Sequence, residues 1–479
     1  MGDDRYRSPL GTRYASPAMQ ALWGERHRVA LWRRLWLALA ETERELGLDI
    51  PDAALAEMRA HLDDADLDAA AAYERRFRHD VMAHVHAFGD QAPAARPYLH
   101  LGATSAYVTD NADLLVMREG LRLILGRVIA VLDALDGFAR RHAALPCLAY
   151  THFQPAQLTT VGKRATLWML DFALDAEELA RRIETLRFRG CKGTTGTQAS
   201  FLELFGGDDA RVRELDQRVT ARMGFPAPFP VSGQTYTRKA DSMVLDTLSG
   251  VAQSAAKLAV DLRLLQHEGE LLEPFESEQI GSSAMAYKRN PMRAERIGAL
   301  ARFVISLTAN GAHTAASQWL ERTLDDSANR RLTLPEAFLG TDAILVLATN
   351  VAAGLEVREM VIRRHVMEQM PFMATERWLM AGVQAGGDRQ TLHEVVRRHS
   401  LAVAEAVGAG GDNDLLARLT ADPAFARVPG GTLAAELDPS RYVGRAPAQV
   451  GEFLGEFLAP LLERVRPLAA AASSAEVRV

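Results

Sequence analysis

Cysteine is scarce in this 479-residue chain and an excess of basic residues is missing, and each shortage excludes a class of protein. Cys147 and Cys191 are the only cysteines, and two are too few for a disulfide framework or a structural zinc site. They indicate a reducing compartment, so we expect a cytoplasmic protein. The net charge of −6 and the pI near 6.1 provide no basic surface, so nucleic acid is not an expected partner.

Long apolar runs and strand patterns are equally scarce. No uncharged apolar stretch reaches the length of about 18 residues that a membrane span needs. The N-terminus carries Asp3, Asp4, Arg5 and Arg7 where a signal peptide would be apolar. We therefore expect no membrane association. The β-branched residues are scattered and alternation is rarely sustained, which disfavours a sheet-based fold.

Helical periodicity dominates what is present. Trp32, Leu35, Trp36 and Leu39 repeat at helical spacing, and Gly47 follows as a C-cap. Longer runs rich in Ala, Leu and Arg lie at about 112–142, 156–189, 238–272 and 292–320. The fold class is therefore predicted to be all-α, with long helices packed in a bundle and against partner subunits. Shorter helices after about residue 357 indicate a C-terminal subdomain.

The segment Gly281–Pro291, G-S-S-A-M-A-Y-K-R-N-P, has the composition of a mobile catalytic loop. It combines a flexible Gly-Ser start with Ser282, Lys288 and Asn290, and such a cluster of polar groups is costly to bury. The alternative is an ordinary polar surface loop.

His152 is a candidate general acid. It stands in T-H-F-Q-P-A-Q, just before a helix predicted to begin near Pro155, where the ring can face a cleft. The alternative is a structural or solvent-exposed histidine.

Two further clusters favour binding of an anion. Arg78, His79 and Asp80 precede His84 and His86, but this spacing does not place the histidines on one helix face, so we expect no metal site. The segment 322–331 contains three arginines, whose guanidinium groups suit phosphate or carboxylate, although a salt-bridged helix end has the same composition.

No motif indicates a cofactor. Gly190–Gly196 is rich in glycine but lacks the Gly-Lys-Ser/Thr ending of a phosphate-binding P-loop. One histidine next to a loop, one serine that could be activated and many arginines together favour cofactor-free acid–base chemistry on a polyanionic small molecule.

The loop resembles the G-S-S-x-M-P-x-K-x-N-P signature of the fumarase/aspartase/argininosuccinate lyase superfamily. Seven other segments are similar to the adenylosuccinate lyase family of animal type, and the similarity runs from about residue 5 to about residue 450. These segments are S-P-L-G-T-R-Y-A-S-P, R-H-D-V-M-A-H-V-H, L-H-L-G-A-T-S, T-H-F-Q-P-A-Q-L-T-T-V-G-K-R, G-T-T-G-T-Q-A-S-F, G-Q-T-Y-T-R-K and E-R-T-L-D-D-S-A-N-R-R.

The resemblance implies β-elimination of fumarate from adenylosuccinate, leaving AMP, and from the succinylaminoimidazole-carboxamide ribotide of purine biosynthesis. It makes Ser282 the general base and His152 the general acid, and it implies no cofactor and no metal. In the family, arginines and serines bind phosphate, and a Thr-Ser pair binds the succinyl carboxylates. The positions that match substrate-binding residues are Arg13, Tyr14, Arg78, His79, Asp80, Thr104, Ser105, Thr151, Gln234, Lys288, Asn290, Arg296, Arg322, Ser327 and Arg331.

The resemblance also implies three largely helical domains, expected at 1–104, 105–357 and 358–479. It implies a homotetramer built on a central bundle, in which three subunits contribute to each active site. One departure from the signature is Ala286, which stands where the family has proline and should loosen the loop. This departure leaves open a related lyase acting on a purine-analogue ribotide. A separate alternative is a non-catalytic helical scaffold descended from such a lyase.

Overall fold

Helices make up 69% of the computed structural model and strands 4%, which confirms the predicted all-α class. The structure describes residues 6–470. Within them the helices are α1 Pro17–Leu22, α2 Glu25–Glu45, α3 Asp52–Ala60, α4 Leu67–Phe77, α5 Asp80–Gln91, α6 Ser105–Arg141, α7 Val161–Thr185, α8 Ala199–Leu204, α9 Asp209–Arg222, α10 Lys239–His267, α11 Met292–Ala316, α12 Asp325–Ala353, α13 Glu359–Met373, α14 Thr375–Gln384, α15 Arg389–Gly408, α16 Leu415–Ala421, α17 Thr432–Ala435, α18 Ala446–Glu452 and α19 Ala459–Val465.

Five long helices form the main bundle. α10 packs against α7 and α11, α11 against α12, and α12 against α6, which returns to α7. Their apolar residues recur on more than one face, so each helix is covered by several others. The four long runs predicted from the sequence correspond to α6, α7, α10 and α11.

The sequence pattern does not predict α12 as a long helix, because Pro335 and Gly340 interrupt it. By length and composition α12 could also cross a membrane. However, 72% of its most apolar window is buried inside the fold, as in the core helix of a globular protein.

The predicted helix start near Pro155 is wrong. Residues on both sides of His152 form a two-stranded antiparallel hairpin of β1 (Pro146–Thr151) and β2 (Gln154–Thr160), and α7 begins only at Val161. Pro155 is tolerated in β2 because this strand pairs on one side only. A second short pair joins β3 (Leu271–Leu272) to β4 (Glu356–Val357).

Helix α2 agrees with the helical periodicity of the sequence. Trp32, Leu35, Trp36 and Leu39 are all buried in α2. Gly47 follows the helix with φ +101°, a conformation that favours glycine, so the predicted C-cap is confirmed.

A second hydrophobic cluster lies in the C-terminal region, apart from the main core. Its buried members come from α14 to α17 and include Trp378, whose Nε1–H donates to the Leu433 carbonyl at 2.8 Å. The helices α14 to α17 therefore have a core of their own, whereas α13, α18 and α19 contribute buried residues to the main core.

The contact between α6 and α12 offers a test of the packing. A Cβ added at Gly120 would lie 2.7 Å from the Phe338 ring, whereas one added at Gly298, on α11, would meet nothing within 4 Å. We expect Gly120→Ala to lower the free energy of unfolding by about 1–3 kcal/mol through overpacking. Gly298→Ala should leave it unchanged or raise it by up to about 1 kcal/mol. Thermal unfolding of both variants measures this, and equal midpoints would contradict the packing.

Candidate active site

A cavity of about 300 Å³ opens between the N-terminal helices and the bundle. It is lined by residues from α2, α5, α6 and α12 and by the segments just before α2 and α12. These elements are far apart in sequence. The cavity brings together five of the residues predicted to bind substrate, namely Asp80, Ser105, Arg322, Ser327 and Arg331.

One side of this cavity is built on Arg238, which is almost fully buried just before α10. Its guanidinium group donates two hydrogen bonds of 3.1 Å to the Asp110 carboxylate on α6 and one of 2.7 Å to Asp326 on α12. The other Asp326 oxygen accepts a 2.9 Å hydrogen bond from Arg322. A predicted anion-binding arginine is therefore oriented by buried charges on three helices.

A second buried arginine, Arg330, extends the network. Its Nε donates to Asp241 at 2.6 Å and its Nη2 to the Tyr236 hydroxyl at 2.5 Å, and that hydroxyl donates to Asp241 at 2.6 Å. Arg330 also lies 3.0 Å from Asp113, which faces the cavity. Every charged side chain here has an opposite charge beside it, as burial requires.

The pKa values in this network follow from burial and charge. Burial alone would raise the pKa of Asp110, but Arg238 and Arg330 outweigh it, so its pKa is lowered and the group stays ionised. For Asp113 burial dominates over Arg330, and its pKa is raised. Sequence patterns do not identify Asp110, Asp113 or Asp241, although Tyr236 and Arg238 lie inside G-Q-T-Y-T-R-K.

The Arg78-His79-Asp80 segment joins α4 to α5. Arg78 ends α4 in the left-handed conformation, and the His79 ring caps α5 by accepting from the Met82 N–H at 3.4 Å. Asp80 lies 3.3 Å from Arg331 across the cavity. Arg331 is 63% exposed, so most of its hydrogen-bonding capacity remains open to an anion.

Three other residues predicted to bind substrate are Arg296 on α11 and, near the N-terminus, Arg13 and Tyr14. The Arg296 guanidinium lies 5.5 Å from the centre of the Tyr14 ring, and Arg13 is the exposed neighbour of Tyr14. Arg296 Nη1 is buried and has no hydrogen-bond partner among residues 6–470.

Thr104 and Gln234 act locally through their backbones. Thr104 is the N-cap residue of α6, directly before Ser105. The Gln234 N–H donates to the Glu321 carbonyl at 3.0 Å, and the Gln234 carbonyl accepts from Arg189 at 2.7 Å. This holds the chain beside the start of the 322–331 segment.

His152 lies at the tip of the β1–β2 hairpin. Thr151 pairs with Gln154, so His152 and Phe153 are the two residues of the turn, and their φ values are +54° and +56°. Positive φ at both positions matches a type I′ turn, which normally selects Asn or Gly. Neither residue is of that kind, so the turn is strained, and strain of this sort concentrates at functional sites. The tip is exposed in the single chain.

The 273–291 loop folds back on itself. Ser282 Oγ accepts from the backbone N–H of Met285 at 3.1 Å and of Ala284 at 3.3 Å. Asn290 donates to the Gly281 carbonyl at 2.7 Å. A Cβ at Gly281 would lie 2.1 Å from the Lys288 carbonyl, so only glycine allows the two ends of the loop to approach this closely.

Ala286 occupies the second position of a β-turn closed by a 3.0 Å hydrogen bond from the Lys288 N–H to the Met285 carbonyl. Proline is favoured at this position because its fixed φ suits the turn. Alanine forms the same turn, so the departure from the signature does not prevent this loop conformation.

The single chain does not assemble all predicted residues in one place. Within the described residues, neither His152 nor Ser282 forms a hydrogen bond or ion pair with a residue of the cavity. Among the described residues, the hairpin and the loop are therefore not joined to the cavity by contacts of their predicted catalytic side chains.

No group of three or more His, Cys, Asp or Glu side chains in residues 6–470 is arranged to hold a metal ion. Both cysteines are buried and unpaired, and burial raises the pKa of Cys147 to about 11.

Known lyases match this chain over most of its length. A family profile described as "Lyase" matches residues 38–306, and one described as "Adenylosuccinate lyase C-terminus" matches residues 371–453. The adenylosuccinate lyase of Saccharomyces cerevisiae is 50% identical over 94% of each chain, and that of Schistosoma mansoni is 47% identical over 96% of each. Among solved structures, a fumarate lyase from Mesorhizobium sp. BNC1 aligns with a TM-score of 0.76 and 26% identity, over 93% of this chain and 99% of its own.

The Arg238 network yields a stability prediction. Asp110→Asn removes the carboxylate that neutralises buried Arg238, and we expect it to lower the free energy of unfolding by about 3–5 kcal/mol. Because the folded pKa of Asp110 lies below 3.8, its contribution is complete above that pH and is lost as pH falls through the folded pKa.

Thermal unfolding of parent and variant between neutral and acidic pH tests both points. The difference between them should be largest near neutrality and shrink in acid. A constant difference would contradict the assigned ionisation of Asp110.

Proposed function

The chain belongs to the adenylosuccinate lyase family, and we propose that Ser282 and His152 are the base and the acid of its reaction. The reaction is the β-elimination of fumarate from adenylosuccinate, leaving AMP, and from the succinylaminoimidazole-carboxamide ribotide, leaving the carboxamide ribotide. The high identity to adenylosuccinate lyases over nearly the whole chain favours this substrate pair over a purine-analogue ribotide.

The observation that supports the base is the pair of backbone N–H groups directed at Ser282 Oγ. Serine removes a proton from carbon only as the alkoxide, after its own hydroxyl proton has been released to solvent, so the negative charge on Oγ must be stabilised beforehand. Backbone donors already directed at Oγ supply that stabilisation without reorganisation. Lys288, in the same loop, adds a positive charge that would act on the same oxygen when the loop is closed over substrate.

His152 would protonate the departing nitrogen. Its position at the tip of a rigid hairpin, flanked by Thr151 and Phe153, projects the ring away from its own chain. Such a ring can enter a site formed largely by other segments, and histidine is the side chain most often used for proton transfer in catalysis.

The anion cavity would receive the phosphate and the succinyl carboxylates. Arg322, Ser327 and Arg331 present hydrogen-bond donors suited to phosphate, and Ser105 with its neighbour Thr104 suits a carboxylate. Arg13, Tyr14, Arg78, His79, Gln234, Asn290 and Arg296 would complete the set. Ligand pockets usually enclose roughly 300–1,000 Å³, so the cavity of about 300 Å³ would hold only part of the substrate in one chain.

We further propose a cytoplasmic homotetramer with three domains at 1–104, 105–357 and 358–479. An apolar stripe supports the assembly: Leu167, Leu170 and Leu174 follow one face of α7 and are 39–51% exposed. Val260 and Leu264 of α10 are similarly exposed. Uncovered apolar stripes on long helices are typical of subunit interfaces.

The base assignment is tested with Ser282→Ala. We expect kcat for fumarate release from both substrates to fall on the order of 10²-fold or more, because general-base catalysis is lost. Ser283→Ala is the matched control, since the next serine in the loop is exposed and receives neither backbone hydrogen bond. Fumarate absorbance measures turnover, and a Ser282→Ala enzyme as fast as the parent would refute the assignment.

Shared active sites are tested by mixing two inactive variants. His152→Ala and Ser282→Ala oligomers should each be inactive alone. After dissociation and reassembly at equal amounts, about one quarter of the sites should combine an intact histidine from one chain with an intact serine from another, because the chains assort at random. Failure of the mixture to regain fumarate release, with mixed oligomers verified by mass, would show that each chain forms its own site.

A further inference from the structure

A buried ion cluster outside the cavity lies between the two catalytic segments. Glu270, which is 1% exposed, stands directly before β3. One carboxylate oxygen lies 3.0 Å from His365 Nδ1 on α13, and the other lies 3.9 Å from Arg164 Nη1 on α7. None of the three residues belongs to the set expected from the sequence.

On one side the cluster holds the hairpin. Arg164 Nη2 donates to the carbonyl of Leu148 in β1, next to the point where the strand register shifts, between Leu148 and Tyr150. The Arg164 guanidinium also lies 6.0 Å from the Tyr150 ring, and that ring lies 5.7 Å from Phe153. Phe153 is the turn residue next to His152, so the contacts run from Arg164 to the tip.

On the other side the cluster holds the base of the loop. The Glu270 carbonyl accepts from the Arg358 N–H at 2.9 Å, and β3 pairs with β4. Gln266 then accepts from the Glu273 N–H at 3.1 Å and donates to the Arg289 carbonyl at 2.9 Å. Both ends of the segment that carries Ser282 are therefore fixed within a few residues of Glu270.

The Glu270 carboxylate and the Leu148 carbonyl both attract the Arg164 guanidinium. Arg164 lies between the Leu148 carbonyl and Glu270, and a guanidinium fork satisfies both only in one orientation. Glu270 Oε2 accepts no hydrogen bond from any described residue, Arg164 included, so the Arg164 charge 3.9 Å away acts on it only as a counter-charge. In a nearly dry interior this attraction is strong.

We propose that Glu270 is a positioning residue: its carboxylate orients the His152 hairpin through Arg164, while its backbone, together with β3, lies at the base of the Ser282 loop. The inference rests on the proposed roles of His152 and Ser282. It predicts that removing the Glu270 charge misplaces the hairpin that carries His152. Arg322 and Arg331, which pair with Asp326 and Asp80, should keep their places.

Glu270→Gln preserves size and removes the charge. We expect kcat to fall about 10-fold or more, since small misplacements of reacting groups can cost up to about 10²-fold. KM for adenylosuccinate should stay within about two-fold of the parent, because ground-state binding is retained. Trypsin cleavage after Lys288 and Arg289 should stay at the parental rate at unchanged oligomer mass, because Gln266 and the β3–β4 backbone still hold the loop.

A matched control exists in the C-terminal cluster. His399 Nε2 lies 2.9 Å from Asp422, a histidine–carboxylate contact similar to that of His365 with Glu270 but on helices that carry no predicted catalytic residue. Asp422→Asn should leave kcat and the loop cleavage rate unchanged. If Asp422→Asn lowered kcat as much as Glu270→Gln, general destabilisation would explain both, and the proposal would be wrong.

A second variant covers the case in which Glu270→Gln does not fold. Arg164→Lys keeps the positive charge but lacks the fork that spans Glu270 and Leu148, and it should lower kcat at nearly constant KM. Parental kcat in Arg164→Lys or in folded Glu270→Gln, with Ser282→Ala inactive, would overturn the positioning role alone. Full activity of Ser282→Ala would instead overturn the proposed catalytic roles on which it rests.

Discussion

Neutralisation of buried arginines is the constraint on which the site depends. Arg238 would be prohibitively costly to bury alone, and it is compatible with the core only because Asp110 and Asp326 approach it from two other helices. The requirement fixes the spacing of α6, α10 and α12 more narrowly than apolar packing does, since packing tolerates small shifts. Arg322 is oriented by the same Asp326. The ion pairs that hold the bundle together therefore also set the geometry of the cavity.

Sequence patterns predict part of this structure, and the reasons differ by element. Helices such as α2 and α6 are recognisable because their apolar periodicity extends over several turns. The sequence does not predict α12, because Pro335 disfavours the interior of a helix. Tertiary packing overrides that local preference. The sequence does not predict the β1–β2 hairpin, because its turn has His152 and Phe153 where Asn and Gly are usual.

Within the candidate site, too, the sequence predicts some residues and misses others. The sequence predicts Ser282, Lys288 and Arg322 as candidate site residues, because each lies in a motif whose members are near neighbours in the chain. Asp110 and Asp241 stand on ordinary helices, and their role follows from arginines more than 80 residues away. Such pairings exist only in three dimensions, so periodicity and spacing cannot identify them.

The closed base of the 273–291 loop has a consequence for how the loop can vary. Because Gln266 holds both ends, the entropy of closing the segment depends only weakly on its length, by about 0.6 kcal/mol per doubling. Inserted or deleted residues near the exposed tip would therefore change the stability of the bundle little. Gly281 is a fixed point in this segment, because any larger residue would clash with the Lys288 carbonyl. The stability of the bundle therefore constrains the base of the loop, whereas Ser282 is constrained by the reaction proposed for it.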